Sequence, residues 1–167
     1  MPTVRKPSPD VVITHPNRES AAAKGTRATV IVIEAASAAL LFLLMIVSWK
    51  VQYGAVPLQF LIGLLFAYFA YAVSQWRSGV LPIAAGTAIV SGVFAAVSIP
   101  SWFDRGGTGY DDPLVNESII GVLVFAFVVL QLVNVVVSLK AFQQQWQVEL
   151  EVPRDELHAG AHVAATA

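Results

Sequence analysis

Residues 28–48 read ATVIVIEAASAALLFLLMIVS, and this apolar run determines the class of the protein. An α-helix rises about 1.5 Å per residue, so about 20 apolar residues cross a hydrocarbon core of about 30 Å. Three more runs of similar length follow, at residues 55–76, 79–99 and 118–139. A transmembrane β-barrel would instead show alternating segments of about 10 residues. The sequence therefore predicts an all-α, integral membrane four-helix bundle with up-down-up-down order.

The composition supports a membrane location and excludes several classes of function. Of 167 residues, 56% are hydrophobic and 13% are charged, whereas soluble domains contain about 45–50% apolar and about 25% charged residues. A net charge of −1 argues against a nucleic-acid partner, which requires a clustered basic surface. Without cysteine, the chain has no disulfides, thiolate metal sites or cysteine nucleophiles. The expected partner is the lipid bilayer.

The runs divide the chain into three regions. Residues 1–27 are polar, contain four prolines and show no helical or strand period, so we predict a disordered cytoplasmic tail. Residues 28–139 form the membrane domain, with the outer loop at residues 100–117. Residues 140–167 are predicted to continue the last helix to about Leu150, where Pro153 stops it, and then to form a tail.

Lysine and arginine predict the orientation in the membrane, because cytoplasmic loops carry an excess of both. Eight lie on the side of the two termini, and two lie on the opposite side: Arg5, Lys6, Arg18, Lys24, Arg27, Arg77, Lys140 and Arg154, against Lys50 and Arg105. Both termini are therefore expected in the cytoplasm. The Ala-, Val- and Gly-rich composition with few lysines favours a bacterial source, and hence the cytoplasmic membrane of a bacterium.

Polar residues in the spans predict one intramembrane cluster. Glu34 is the only acidic or basic residue within a span, and such residues usually face a bundle interior. Gln131, Asn134 and Ser138 share one helical face of the fourth span. With the second and third spans, the predicted members are Glu34, Tyr68, Tyr71, Thr87, Gln131 and Asn134. Two interpretations stay open: a proton or cation site at which Glu34 titrates, or hydrogen bonds that fix the helix register.

Small residues recur at every fourth position of the third span, at Ala84, Ala88, Gly92 and Ala96. Such rows let helix backbones approach closely in lipid. They are compatible with a homodimer seam, but we favour packing within the bundle.

The outer loop and the histidines offer weaker candidates for metal binding. Asp104, Asp111 and Asp112 surround flexible glycines, and calcium takes oxygen ligands from such loops. The EF-hand spacing is absent, so a solvated turn is the favoured interpretation. All three histidines lie in the tails, which argues against haem within the bundle. We expect no metal and no cofactor.

Two classes of function follow from these patterns. The favoured hypothesis is a non-enzymatic accessory, scaffold or assembly subunit that binds other membrane proteins or a second copy of itself, because no catalytic pairing of residues is visible. The alternative is a small oligomeric transporter or channel, coupled to protons or cations, that uses Glu34 and the polar residues of the fourth span.

Overall fold

The computed structural model describes residues 11–104 and 113–153. Within these ranges the chain is mostly helical. The elements in chain order are β1 (Val11–Thr14), α1 (Pro16–Glu19), α2 (Ala21–Val47), α3 (Val56–Ser74), a 3-10 turn (Ser78–Val80), α4 (Leu81–Phe103), α5 (Glu117–Gln143) and β2 (Leu150–Pro153).

Four of the helices are long and apolar enough to cross a membrane: α2, α3, α4 with its preceding 3-10 turn, and α5. Large apolar side chains cover the outside of the bundle, for example Val97, Phe94 and Leu132. Such a surface is stable in contact with lipid tails and not with water. The structure thus confirms the prediction of a four-span membrane protein packed as a helical bundle.

The four helices form a ring in chain order, but they do not pack equally. The pairs α2–α3, α4–α5 and α2–α5 pack extensively, whereas α3 and α4 make few direct contacts. Edge-to-face packing of Phe66 on Phe127, with ring centroids 6.3 Å apart, links α3 to α5 across the core. We call the end of the bundle that carries β1 and β2 the ribbon end, and the opposite end the loop end.

Helices α2 and α4 extend beyond the apolar runs that predicted them, at ends where the sequence predicted no helix. Helix α2 begins at Ala21, because Ser20 caps it by accepting a hydrogen bond of 3.1 Å from the amide of Ala23. Helix α4 continues through Pro100 to Phe103, whereas the outer loop was expected to begin at Pro100. The extra turn buries Trp102, and it packs against Gly121, where a Cβ atom would lie 2.8 Å from the Phe103 ring.

Residues 11–27 differ from the disordered tail that their composition predicted. They contain β1, α1 and the start of α2. Strand β1 pairs with β2 in an antiparallel ribbon, with Val11 opposite Pro153 and Thr14 opposite Leu150. Because the pairing joins opposite ends of the chain, no local pattern in either segment reveals it. Residues 1–10 and 154–167, the remainder of the two predicted tails, lie outside the described residues.

The segment after α5 also differs from the predicted helical extension. Helix α5 ends at Gln143, and Gln145 adopts a left-handed backbone with φ of 49°, which turns the chain back towards the bundle. The turn places Trp146, 0% exposed, edge-to-face against Trp76 with ring centroids 5.4 Å apart. Burial of this large ring, which a continuing helix would carry away from the bundle, explains why the helix stops early.

Side chains from the N-terminal segment hold the folded-back chain in place. Arg18 Nε donates to the Trp146 carbonyl at 2.8 Å, and Asn17 Nδ2 donates to the Gln145 carbonyl at 3.1 Å. Arg27 lies 4.5 Å from the centre of the Trp76 ring in a cation–π arrangement. We call this assembly of the N-terminal segment, Trp76 and Trp146 the tryptophan clamp.

Candidate functional site

The buried polar side chains of α2 and α5 meet along one contact between the two helices. They are Glu34, Ser37, Gln131, Asn134 and Ser138, and none is more than 2% exposed. Their spacing, i and i+3 on α2 and i, i+3 and i+7 on α5, places each set on a single helical face. We call this row the polar seam.

Hydrogen bonds fix the register of the polar seam. Gln131 Nε2 donates to Ser37 Oγ at 3.0 Å. The two helices are antiparallel, so the residue one turn before Ser37 on α2 lies opposite the residue one turn after Gln131 on α5. The Asn134 side chain accordingly lies beside the Glu34 carboxyl. Ser138 Oγ in turn donates to Asn134 Oδ1 at 3.0 Å. The sequence-distant helices α2 and α5 are therefore joined by polar groups in a defined order.

Several buried atoms of the seam have no hydrogen-bond partner among the residues that the structure describes. They are both carboxyl oxygens of Glu34, Oε1 of Gln131 and Nδ2 of Asn134. A buried polar group without a partner costs about 1–3 kcal/mol in protein mutational data. These atoms of Glu34, Gln131 and Asn134 could rearrange to bind one another, a proton or a small cation.

Glu34 lies at the middle of its helix. It is thirteen residues from each end of α2, counted from 21 to 34 and from 34 to 47. It lies only six residues after the start of the apolar run at residue 28, because α2 begins seven residues before that run. An acidic residue within an apolar span is expensive in lipid, so its burial inside the bundle follows.

The structure brings together three of the six residues predicted for the cluster. Glu34, Gln131 and Asn134 are buried in the seam, whereas Tyr68 and Tyr71 are 47% and 60% exposed on the outside of α3. The inward face of α3 is instead occupied by its buried residues, Gly63, Phe66, Phe69, Ala72 and Val73, so the helical period turns both tyrosines outward.

Thr87 and Ser37 complete the comparison with the predicted cluster. Thr87, on α4, is half-buried and is not among the buried polar side chains of the seam. Ser37 belongs to the seam but was not singled out from the sequence. Its position one turn after Glu34, on the same helical face, is the signal that could have identified it.

The small-residue row of α4 lies mostly inside the bundle. Ala84, Ala88 and Gly92 are buried, whereas Ala96 is exposed. A Cβ atom on Gly92 would lie 3.2 Å from Cβ of Gln131, so the glycine lets α5 approach closely beside the seam. A shallow groove of about 190 Å³ runs over the same residues on the outer surface.

A second feature is an opening between α3 and α4 towards the loop end, which we call the lateral cleft. Its volume is about 330 Å³. Leu58 and Phe94 are exposed at its mouth, and Leu41, Leu44 and Phe127 are buried at its floor. Gln59 also lines the cleft and donates through Nε2 to Gln52, but its Oε1 is buried and has no described hydrogen-bond partner.

The proposed cation site of the outer loop has one member in the described part of the chain. Asp104 is exposed directly after α4, while Asp111 and Asp112 lie outside the described residues. In residues 11–104 and 113–153, no three His, Asp or Glu side chains are grouped as metal ligands.

Comparison with known proteins assigns no family: the chain matches no protein-family model, no curated protein and no solved structure.

Proposed function

We propose that the protein is a non-enzymatic accessory, scaffold or assembly subunit of a larger membrane complex, and that it binds its partner through the lateral cleft. The observation that supports this proposal is the unequal packing of the ring. Three helix pairs pack extensively, but α3 and α4 leave an opening of about 330 Å³ that faces the surrounding lipid. A partner surface would complete the fourth side of the bundle.

The chemistry of the cleft favours a transmembrane helix as its occupant. Helix association in lipid uses small residues that allow close approach and polar side chains that bond across the contact. The cleft offers Ala55 and Ala95 as small residues, and Ser91 and Gln59 as polar residues. The Oε1 atom of Gln59 is buried without a described partner, so the side chain would turn to meet an incoming donor. A helix with a serine, threonine or amide could donate to Gln59, whereas a lipid acyl chain has no donor.

The proposal is tested by filling the cleft. Ala95→Leu adds three carbons to its wall, and Ala126→Leu, on the exposed surface of α5 outside the cleft, is the matched control. Each tagged variant is purified from its native membrane in mild detergent, and co-purified proteins are quantified by mass spectrometry. If the added carbons of Ala95→Leu weaken partner binding by about 1.4 kcal/mol, the affinity falls about tenfold. We therefore expect Ala95→Leu to lose the partner and Ala126→Leu to keep it. Equal recovery with both variants, or recovery of no partner, would contradict the proposal.

The same proposal includes the orientation, with both termini in the cytoplasm and the cleft in the outer leaflet. Five of the described lysines and arginines lie at the ribbon end: Arg18, Lys24, Arg27, Arg77 and Lys140. One, Lys50, lies at the loop end. Because the chain has no cysteine, Lys50→Cys and Lys24→Cys each introduce a single thiol. In intact bacterial cells, a membrane-impermeant maleimide should label the first variant and not the second.

A second candidate function is a small oligomeric transporter or channel for protons or cations. The observation that favours it is the buried Glu34 carboxyl at mid-helix, with both oxygens unpartnered among the described residues. In proteoliposomes with a pH- or ion-sensitive dye, Glu34→Gln should abolish flux, and Glu117→Gln at the start of α5 should retain it. Flux that survives Glu34→Gln would rule out this candidate.

A further inference from the structure

The hydrogen-bonding groups of the polar seam do not balance if Glu34 is a carboxylate. An ionised carboxylate only accepts hydrogen bonds. Three of the four unpartnered groups would then be acceptors: Oε1 and Oε2 of Glu34 and Oε1 of Gln131. The Nδ2 group of Asn134 would be the single donor. Its two N–H groups can serve two of these acceptors, so at least one buried acceptor is left without a donor.

We infer that the polar seam is a proton-binding site, in which one proton on Glu34 bridges α2 and α5. The carboxylic acid donates its O–H to Gln131 Oε1, and its carbonyl oxygen accepts from Asn134 Nδ2. With the existing bonds from Gln131 Nε2 to Ser37 and from Ser138 to Asn134 Oδ1, every unpartnered group of the seam then has a partner. The Gln131 amide bonds Ser37, which lies one helical turn from Glu34 on the same face of α2, so the rearrangement involves neighbouring side chains of one helix contact.

Among the described residues, no buried positively charged side chain is present to replace that proton. Glu34 is the only ionisable side chain among the buried residues that the structure describes. The buried residues of α3 are glycine, alanine, valine and phenylalanine. Those of α4 are leucine, alanine, serine, glycine and tryptophan. An uncompensated carboxylate in the middle of a transmembrane bundle is costly, whereas a neutral acid with two hydrogen bonds is compatible with it.

The donor set also distinguishes a proton from a metal cation. Cations such as sodium or calcium require several converging oxygen ligands. In the seam, Asn134 presents its amide nitrogen to Glu34, since its oxygen accepts from Ser138. Ser37 Oγ already accepts from Gln131. The arrangement therefore complements a carboxylic acid, and it holds independently of partner binding at the lateral cleft and of whether protons cross the membrane.

Infrared spectroscopy of the full chain in lipid tests the inference directly. At neutral pH we expect the carbonyl band of a protonated carboxylic acid, shifted by exchange into D₂O. The band should be absent in Glu34→Gln and retained in Glu117→Gln. Absence of the band in the wild-type protein, with only carboxylate bands present, would overturn the inference.

Thermal unfolding in detergent supplies a second, independent measurement. Glutamine also offers one donor and one acceptor to Gln131 and Asn134, so Glu34→Gln should unfold close to the wild-type midpoint. Glu34→Leu should unfold at a lower temperature, and replacement of sodium by choline should change neither result. A thermal midpoint that rises with sodium in the wild type but not in Glu34→Gln would identify a cation site instead. Equal losses of midpoint in Glu34→Gln and Glu34→Leu would also refute the proton bridge.

Discussion

The two opposite sides of the helical ring show how differently membrane helices can associate. Helices α2 and α5, at opposite ends of the membrane domain in sequence, are joined by the polar seam. Helices α3 and α4, joined by the shortest connection in the bundle, make few contacts and leave the lateral cleft. Apolar side chains gain little by leaving lipid for one another, so polar bonds and close backbone approach decide which helices pack. Proximity in sequence is not sufficient, because α3 and α4 are neighbours in the chain and yet pack little.

The comparison assigns different roles to the two sides. The α2–α5 side is closed, and its groups are used within the chain. The α3–α4 side is open, and Gln59, whose buried Oε1 has no described hydrogen-bond partner, lines the space between the two helices. Substitutions on the closed side should therefore change the stability of the protein, and substitutions on the open side should change what it binds.

The largest effect is expected at the tryptophan clamp, which ties the ribbon ends of α2, α3 and α5 together. Trp146→Ala should lower the free energy of unfolding by about 3–5 kcal/mol, the usual cost of deleting a fully buried tryptophan ring. Trp49→Ala, which removes a half-exposed ring at the loop end, is the matched control. Chemical unfolding in detergent, followed by circular dichroism, measures both. Equal losses would show that the clamp contributes no more than a surface tryptophan.

A smaller effect is expected within the polar seam itself. Ser37→Leu forces a larger side chain into the α2–α5 contact and removes the acceptor of the Gln131 amide. Overpacking and a lost hydrogen bond together should cost about 2–4 kcal/mol. Ala36→Leu introduces the same side chain on the exposed face of α2 and should change stability by less than about 0.5 kcal/mol. The thermal midpoints of the two variants give the comparison, and a stable Ser37→Leu would mean that the seam does not hold the helices together.

The smallest effect is expected on the open side. Gln59→Leu removes a buried unpartnered acceptor, which favours stability, and the hydrogen bond that Gln59 donates to Gln52, which lowers it. The stability of the protein alone should therefore change by less than about 1 kcal/mol. Partner binding should weaken by about 0.6 kcal/mol, roughly threefold, the average for a hydrogen bond between membrane helices. Quantitative co-purification measures the change, with Gln75→Leu outside the cleft as control. A loss of stability without a loss of partner would assign Gln59 to the bundle rather than to an interface.

The membrane fold could be predicted from the sequence because bilayer thickness sets the length of a spanning helix. That rule identified all four spans, but it did not identify their ends. The continuation of α4 to Phe103 and the early end of α5 at Gln143 depend on contacts with residues far away in sequence. The cap at Ser20 is a local contact, but it lies before the apolar run. An apolar run indicates which residues lie in lipid. It does not determine whether the helix continues beyond the run or ends there with the chain turning back.

The candidate site could be predicted only in part, for a related reason. Helical periodicity grouped Gln131 with Asn134, the rarity of charge in spans singled out Glu34, and all three side chains are buried in the seam. Tyr68 and Tyr71 have a similar depth but face outward, since depth along a helix does not specify its rotation. The lateral cleft could not be predicted, because it arises from how helices pack rather than from any motif.

The ribbon has a consequence for the biosynthesis of the protein. Strand β1 begins at residue 11, and its partner β2 ends at residue 153, so the ribosome completes β2 only after all four transmembrane helices have been translated. The ribbon can close only if both strands emerge on the same side of the membrane, which requires an even number of membrane crossings between them. Pairing of β1 with β2 thus marks the end of assembly, and a chain with one misinserted helix would leave both strands unpaired and accessible to proteases.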